Sequence, residues 1–374
     1  MLKLNKLNYL FFLALSAPAL AFADTGNITL YGVFHADVES VKNDKALLTT
    51  NATSLNRVVS NASRLGFKGS EDLGDGLKVI YQLEAEFDLT NSNGTPFAKT
   101  RNSNVGLKGN FGTVFYGNWD TPYKEAHTKV ELFGNTHIAS AINVTGRTAY
   151  NTASTTAASS TASFNTRQKN VIQYWTPDYN GFQARLAYAP DNTKKGTVAA
   201  GGDKSVWSMS TAYENDLFYG AYGYEAHKDA LSTAASLTDS ASRLVGAYKF
   251  KNGLIGLTLE RLSVAKAAAS TTTDSRNGWE LSGKYKFGAS NIGAFYARAG
   301  DLGGVANTGA SQYSLRYGYN FSKRTEVYGF YTQLSNDAAA AYNFTAGTVV
   351  TSAAGAAGLG AKLSGLGLGL IHTF

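Results

Sequence analysis

The sequence has no cysteine and, in 374 residues, only 2 methionines and 5 prolines. Without thiols it builds neither a disulfide framework nor a thiolate metal site, and nothing in it conflicts with passage through an oxidising compartment. Charge is also sparse, at 16% of residues, and no block of about five or more like charges occurs. A nucleic-acid binder would gather its Lys and Arg on one stripe. Here they are dispersed, and no nucleic acid is expected. Beyond the N-terminal segment, no stretch is long and apolar enough for a membrane helix, which needs roughly 20 consecutive apolar residues.

Catalytic signatures are missing as well. There is no Gly-x-Ser-x-Gly elbow and no His-Glu-x-x-His pair. The histidines are His35, His127, His137, His227 and His372, and none forms a tightly spaced, acid-flanked pair. His127 and His137 lie near Glu125 and Glu131, which leaves room only for a loose metal site. A hydrolase would need a nucleophile, a base and an orienting group together. Neither enzyme activity nor a cofactor or metal is expected.

What the chain does contain begins with an export signal. Lys3 and Lys6 precede the apolar run Leu10–Leu15, and Ala21-Phe22-Ala23 has the small-x-small pattern of a signal-peptidase site. Residues 1–23 are read as a cleaved signal peptide and 24–374 as one domain. The net charge is +7, and removing Lys3 and Lys6 leaves +5.

Glycine (39), tyrosine (22) and phenylalanine (20) are abundant, and the dominant period is two. Leu77, Val79, Tyr81, Leu83, Ala85, Phe87 and Leu89 share one face against Lys78, Ile80, Gln82, Glu84, Glu86 and Asp88. Trp279, Leu281, Gly283, Tyr285 and Phe287 oppose Glu280, Ser282, Lys284 and Lys286. Tyr313, Leu315, Tyr317 and Tyr319 oppose Ser314, Arg316 and Gly318. This is strand periodicity. The mean hydropathy is slightly negative, as expected when lipid-facing and lumen-facing residues alternate along a transmembrane barrel. Segments near 204–227 and 291–299 show no clean alternation.

Connections alternate in length. Short turns fall at Gly74-Asp75-Gly76, Asn110-Phe111-Gly112, Asn180-Gly181, Asn215-Asp216, Asn252-Gly253, Ala289-Ser290-Asn291 and Ser322-Lys323-Arg324. Longer polar connections lie around 40–59, 191–203, 228–240, 267–275, 301–309 and 336–359. Short turns on one rim and long loops on the other are the pattern of an outer-membrane barrel. The tally predicts an all-β antiparallel barrel of about sixteen strands, with short periplasmic turns and long external loops. Tyr248 and Phe250, Tyr285 and Phe287, and Tyr319 and Phe321 sit two apart just before short turns, as an interfacial aromatic girdle requires.

From about 119 to 166 no convincing strand is visible. A structureless stretch of that length is functional or disordered: an external loop, or one folded into the lumen to narrow it. The chain ends with Leu366, Leu368, Leu370, His372 and Phe374 alternating with Gly365, Gly367, Gly369 and Ile371. No βαβ unit accompanies these glycines, so they are not a nucleotide fingerprint. They suit a final strand that closes the barrel at Phe374.

Several stretches resemble the general-porin family of Gram-negative outer membranes. They are Leu30-Tyr31-Gly32, the run from Ser63 to Gly74 (SRLGFKGSEDLG), Phe111-Gly112-Thr113-Val114, the run from Tyr319 to Tyr328 (YNFSKRTEVY), and His372-Thr373-Phe374. The resemblance covers essentially the whole chain after residue 23. It implies a sixteen-stranded barrel, a homotrimer in outer-membrane lipid and lipopolysaccharide, and a third loop folded inward. It further implies recognition of the C-terminal strand by the barrel assembly machinery. The function implied is passive diffusion of small hydrophilic solutes through a constriction set between basic wall residues and acidic loop residues. Carried onto this chain, the basic wall is Arg64, Arg101 and Arg167 with Lys68 and Lys169. The acidic side is Glu131, Glu125 and Asp120. The balance suggests a mild preference for anions. The alternatives are a substrate-specific channel for sugars or organic anions and, from other classes, an adhesin, receptor or enzyme of the outer membrane.

Overall fold

The computed structural model describes residues 27–44, 53–90, 99–150, 160–190, 204–228, 237–265, 272–344 and 358–374. The signal peptide expected over 1–23 lies outside these residues. β1 (Thr29–Asn43) pairs with both β2 (Thr53–Ser60) and β3 (Arg64–Gly74), which together make a single span broken at Asn61-Ala62-Ser63. β4 (Leu77–Glu86) likewise pairs with β5 (Lys99–Thr100) and β6 (Ser103–Gly109), a span broken at Arg101-Asn102. β7 (Gly112–Asp120) leads into a single helical turn, α1 (Pro122–Glu125), and then a separate hairpin, β8 (Arg147–Tyr150) and β9 (Ser160–Ser163).

The remaining spans follow in sequence. They are β10 (Arg167–Trp175), β11 (Phe182–Pro190), β12 (Ser205–Glu214), β13 (Phe218–Lys228), β14 (Thr238–Phe250) and β15 (Gly253–Ala265). β16 (Thr273–Phe287), β17 (Ser290–Ala299), β18 (Ala310–Asn320), β19 (Thr325–Asn336) and β20 (Lys362–Thr373) complete the series. Neighbours pair antiparallel, and β20 pairs with both β19 and β1, so the sheet closes. Counting each broken strand once, the barrel has sixteen spans, as the alternation and turns indicate.

Closure satisfies backbone groups that an open sheet would leave unpaired in lipid. The last residue takes part: Gly32 N donates to Phe374 O at 3.2 Å and Phe374 N to Gly32 O at 3.1 Å. The Phe374 ring stacks on Phe34, with centroids 5.3 Å apart.

Side chains sort by parity. On β15, Ile255, Leu257 and Leu259 project outward and are exposed, whereas Leu254, Thr258, Glu260 and Leu262 point inward and are buried. At the short-turn rim the expected aromatics form a band. Phe218, Tyr248, Phe250, Tyr285 and Phe287 follow one another with ring centroids 5.5–6.2 Å apart. The Asn180-Gly181 turn takes φ of 55° and 91°, a left-handed pair that these two residues adopt more readily than others.

The segment expected to lack strands contains one hairpin. Four-residue strands are too short to show a period, and an Ala/Ser/Thr-rich sequence supplies no apolar alternation, so β8 and β9 left no signal. The last two residues of β7, Trp119 and Asp120, belong to the wall and not to the loop.

Candidate functional site

The described residues of the connection between β7 and β10, 121–150 and 160–166, fold inside the barrel. Its entry is locally encoded: Thr121 caps α1, its Oγ1 accepting from Lys124 N at 3.4 Å, and Pro122 occupies the first turn, where its missing N–H costs nothing. The loop is then bonded to inward-facing wall residues along its length. Tyr123 N donates to Ser208 Oγ at 3.0 Å, and Tyr219 OH donates to Ala126 O at 2.8 Å. Gln312 Nε2 donates to Ile138 O and Ser314 Oγ to Ala139 O, each at 2.9 Å. Phe133, Ile138, Ala139, Ala141 and Val144 pack with Val41, Phe295, Phe330 and Leu334 of the wall in one buried cluster.

Buried charge clamps the middle of the loop. Gly146 N donates to both oxygens of Glu260, at 3.0 and 2.9 Å. Arg243 and Arg276 flank the same carboxylate at 3.2 and 3.0 Å, with all three side chains almost fully buried. Arg276 also donates to Val144 O at 3.2 Å and to Arg147 O. Arg243 lies over the Tyr123 ring, 4.2 Å from its centroid. Gly146 has φ of 64°, and a Cβ there would meet Asn165 and Arg243, so glycine is required at this close approach.

Between loop and wall lies a cavity of about 820 Å³. Its charged lining comprises Arg64, Arg101, Lys124, Arg167 and Arg316 with Glu84, Glu86, Asp120 and Glu131. Arg64 sits opposite Glu86 in the β3–β4 ladder and reaches Glu84 at 3.7 Å. Arg101 bridges Glu84 at 2.7 Å and Glu86 at 2.6 Å. Arg167 pairs with Asp120 at 3.3 Å and donates to Asn102 Oδ1 at 2.5 Å. Lys124 meets Asp120 at 2.7 Å. Arg316 pairs with Glu326 at 3.0 Å and stacks over Tyr328.

Arg64, Arg101 and Arg167 therefore come together at this cavity, as do Asp120 and Glu131. Lys68 and Lys169 do not line it. Lys68 is on Arg64's side of β3 but stands over Tyr31, 5.4 Å from its ring centroid. Lys169 is displaced by a bulge between Gln168 and Val171, where Asn170 takes φ of 53°. It faces a separate groove beside Tyr116 and Ile172. Glu125 also turns away: Trp119 Nε1 donates to it at 3.0 Å and Arg185 pairs with it, so it fastens α1 to the wall. Burial pushes its carboxyl up, and the Arg185 charge opposes that. Glu131 touches the cavity but is aimed at His127 and Glu280, not at the arginines. Burial, with the Glu280 charge adding to it, raises the Glu131 carboxyl to about 7. Burial, aided by Arg243, lowers the His127 imidazole to about 4.

Two groups escaped the sequence argument. Glu84 and Glu86, read as ordinary lumen polarity, neutralise the basic wall from within the same sheet. Arg316 was placed on the inner face by alternation alone, and nothing marked it as a neighbour of Arg64. The signal that could have found both is strand register, which local sequence does not carry.

A closed antiparallel barrel with an apolar outside, a charged inside and an inserted loop is a transmembrane channel of the outer-membrane type. The family model for Gram-negative porins matches residues 10–339, and the chain belongs to that family. It is 28% identical over 371 residues to outer membrane porin protein 32 of Delftia acidovorans, covering 96% of this chain and 97% of that one. The solved structure of an anion-selective porin from Comamonas acidovorans is 27% identical, with a TM-score of 0.76, covering 93% of this chain and all of that one. The trimer form of OmpT, an outer membrane protein of Vibrio cholerae, is 16% identical with a TM-score of 0.64 over 94% and 100% of the two chains. At that identity the likeness is one of fold alone. The chain is thus a porin of the bacterial outer membrane.

Proposed function

We propose that this porin passes small hydrophilic solutes and ions passively, with its narrowest point between the inserted loop and the arginine wall, and with a mild preference for anions. The observation that carries the reading is the charge around the cavity: Arg64, Arg101, Lys124 and Arg167 stand against Glu84, Glu86 and Asp120, while the Arg316 charge is taken up by Glu326. The remaining carboxylate of the lining, Glu131, is turned away toward His127 and Glu280. Guanidinium groups stay charged at any working pH, so the field at the passage is positive on balance. Such a field raises the local concentration of anions and leaves polar neutral solutes free to pass. The likeness to an anion-selective porin points the same way.

Three further expectations belong to this reading: removal of residues 1–23 on export, assembly in lipopolysaccharide-containing membrane through β20, and a homotrimer. In support of the last, Ala36 of β1 and Gly329 of β19 are small outward positions beside the exposed Val38, Val58, Leu368 and Leu370. The decisive experiment is the zero-current potential across a salt gradient. Wild type should prefer anions, and Arg64→Glu should weaken or reverse that preference. A cation-selective wild type refutes the proposal.

A further inference from the structure

At the edge of the lumen, three side chains from two elements converge. His127 and Glu131 stand one helical turn apart on the loop, Glu131 N donating to His127 O at 3.1 Å. The wall supplies Glu280 from β16. His127 and Glu280 are buried and Glu131 is partly so, with side-chain exposures of 3%, 1% and 9%, and their ligand atoms lie within 4.8 Å of one another. His127 Nε2 faces Glu280 Oε2 at 2.7 Å, a hydrogen bond that fixes the ring. With Nε2 donating, Nδ1 carries the lone pair, and it faces Glu131 Oε2 at 3.9 Å. That gap is too wide for a hydrogen bond. Oε2 of Glu131, like Oε1 of Glu280, has no hydrogen-bond partner among the described residues.

A simple structural tether would close the gap to Glu131. Two tetrahedral ligands with bonds of about 2.0–2.1 Å stand roughly 3.3 Å apart, so a shift of about 0.6 Å in the Glu131 carboxylate brings the pair onto one ion. We propose that His127 and Glu131, supported by Glu280, bind a first-row transition dication of Zn²⁺ character. Nδ1 and Oε2 are the ligands, and lumen water completes the shell. Glu280 is a positioning residue: it orients the imidazole through Nε2 and adds the second negative charge, as the outer carboxylate of a carboxylate–histidine–zinc array does. One nitrogen and two carboxylates are too few for Ca²⁺, which takes six to eight oxygens, and imidazole favours Zn²⁺-like ions. Arg243, whose charge reaches His127, is itself tied to Glu260. His127 and Glu131 both line the lumen cavity, so a hydrated ion reaches them from the pore. The inference does not depend on the ion preference proposed above.

The test uses the assembled, chelator-stripped protein in detergent, titrated with Zn²⁺ against a fluorescent zinc chelator. One Zn²⁺ per chain is expected, unaffected by excess Mg²⁺. His127→Ala should abolish it, and Glu131→Gln and Glu280→Gln should each weaken it by about tenfold or more. His227, which pairs with Glu225 at 2.6 Å, is the competing site, and His227→Gln should leave binding intact. Binding retained in His127→Ala, or lost in His227→Gln, overturns the proposal. If His127→Ala does not assemble, X-ray absorption of zinc-loaded wild type decides. A shell with imidazole nitrogen at about 2.0–2.1 Å supports the site, and an all-oxygen shell refutes it.

Discussion

Glu260→Ala should free the inserted loop while leaving the barrel closed. In the wild type this carboxylate accepts both bonds from Gly146 N and lies between Arg243 and Arg276, with its side chain 0% exposed. Its removal leaves two buried guanidinium groups facing each other without the carboxylate that lies between them. Stranding a buried charge costs about 3–5 kcal/mol. The strand ladder gives up nothing, because the backbone pairs of β15 with β14 and β16 do not involve the side chain. The cost therefore falls on the docking of the loop, where Gly146 loses its acceptor. At about 1.4 kcal/mol per factor of ten, the ratio of docked to released loop falls by roughly two to three and a half powers of ten. Single-channel recording in planar bilayers reads this as larger and noisier conductance, while heat-resistant migration on gels reports an intact barrel. Glu260→Gln, which keeps an acceptor for Gly146 but not the charge, should fall between the two. Conductance, noise and thermal stability all equal to wild type in Glu260→Ala would refute the reasoning.

Ending the chain at Gly365 should prevent assembly, because it unpairs β1 from Val33 to Ser40 and β19 from Thr325 to Tyr331. A truncated protein that still migrated as a heat-resistant, protease-resistant species would contradict closure through β20. The anion preference should shrink as salt rises from about 0.1 M to about 1 M, where the screening length falls from roughly 10 Å to 3 Å. A zero-current potential ratio independent of salt would mean that selectivity comes from size or from a dry, unscreened site.

The barrel was legible because one face of each strand meets lipid. Leu257 and Leu281 must be apolar, whereas Thr258 and Glu280 need not be, and that contrast survives in local sequence. It fails where the loop covers the inner face. On β17 the outward Ile292 and Tyr296 alternate with Phe295 and Ala297, which are buried beneath the loop's Phe133. Both faces are apolar and the period disappears. Tyr219 and Ala221 on β13 lie under Ala126 and Val130 for the same reason. The segments without clean alternation were thus a footprint of the docked loop. The charged lining of the cavity was less legible. Parity put Arg64 on the inner face, but whether its nearest acid is on the loop or on the next strand depends on register, and register placed Glu84 and Glu86 there. One extra residue at the Asn170 bulge was enough to turn Lys169 away.

A water-filled lumen imposes a conflict on any loop that docks within it. Wall positions must be polar to keep the pore wet, yet a loop covering them buries those groups and must satisfy them. The chain meets this in two ways that differ in burial. Beneath the loop, Glu260, Arg243 and Arg276 are sealed from water; Glu260 and Arg276 bind backbone groups of the loop and Arg243 covers the Tyr123 ring, so their charge acts on structure. Around the cavity, Arg64, Arg101, Glu84 and Glu86 keep side-chain exposures of 10–21%, so on the proposed reading their charge acts on passing solutes. A buried ion pair adds little net stability over an apolar replacement, but losing half of one is costly. Charge changes in the buried group should therefore appear as altered conductance, and charge changes around the cavity as altered selectivity at nearly constant conductance. The same residue types, far apart in sequence, do different work because one set is dry and the other wet.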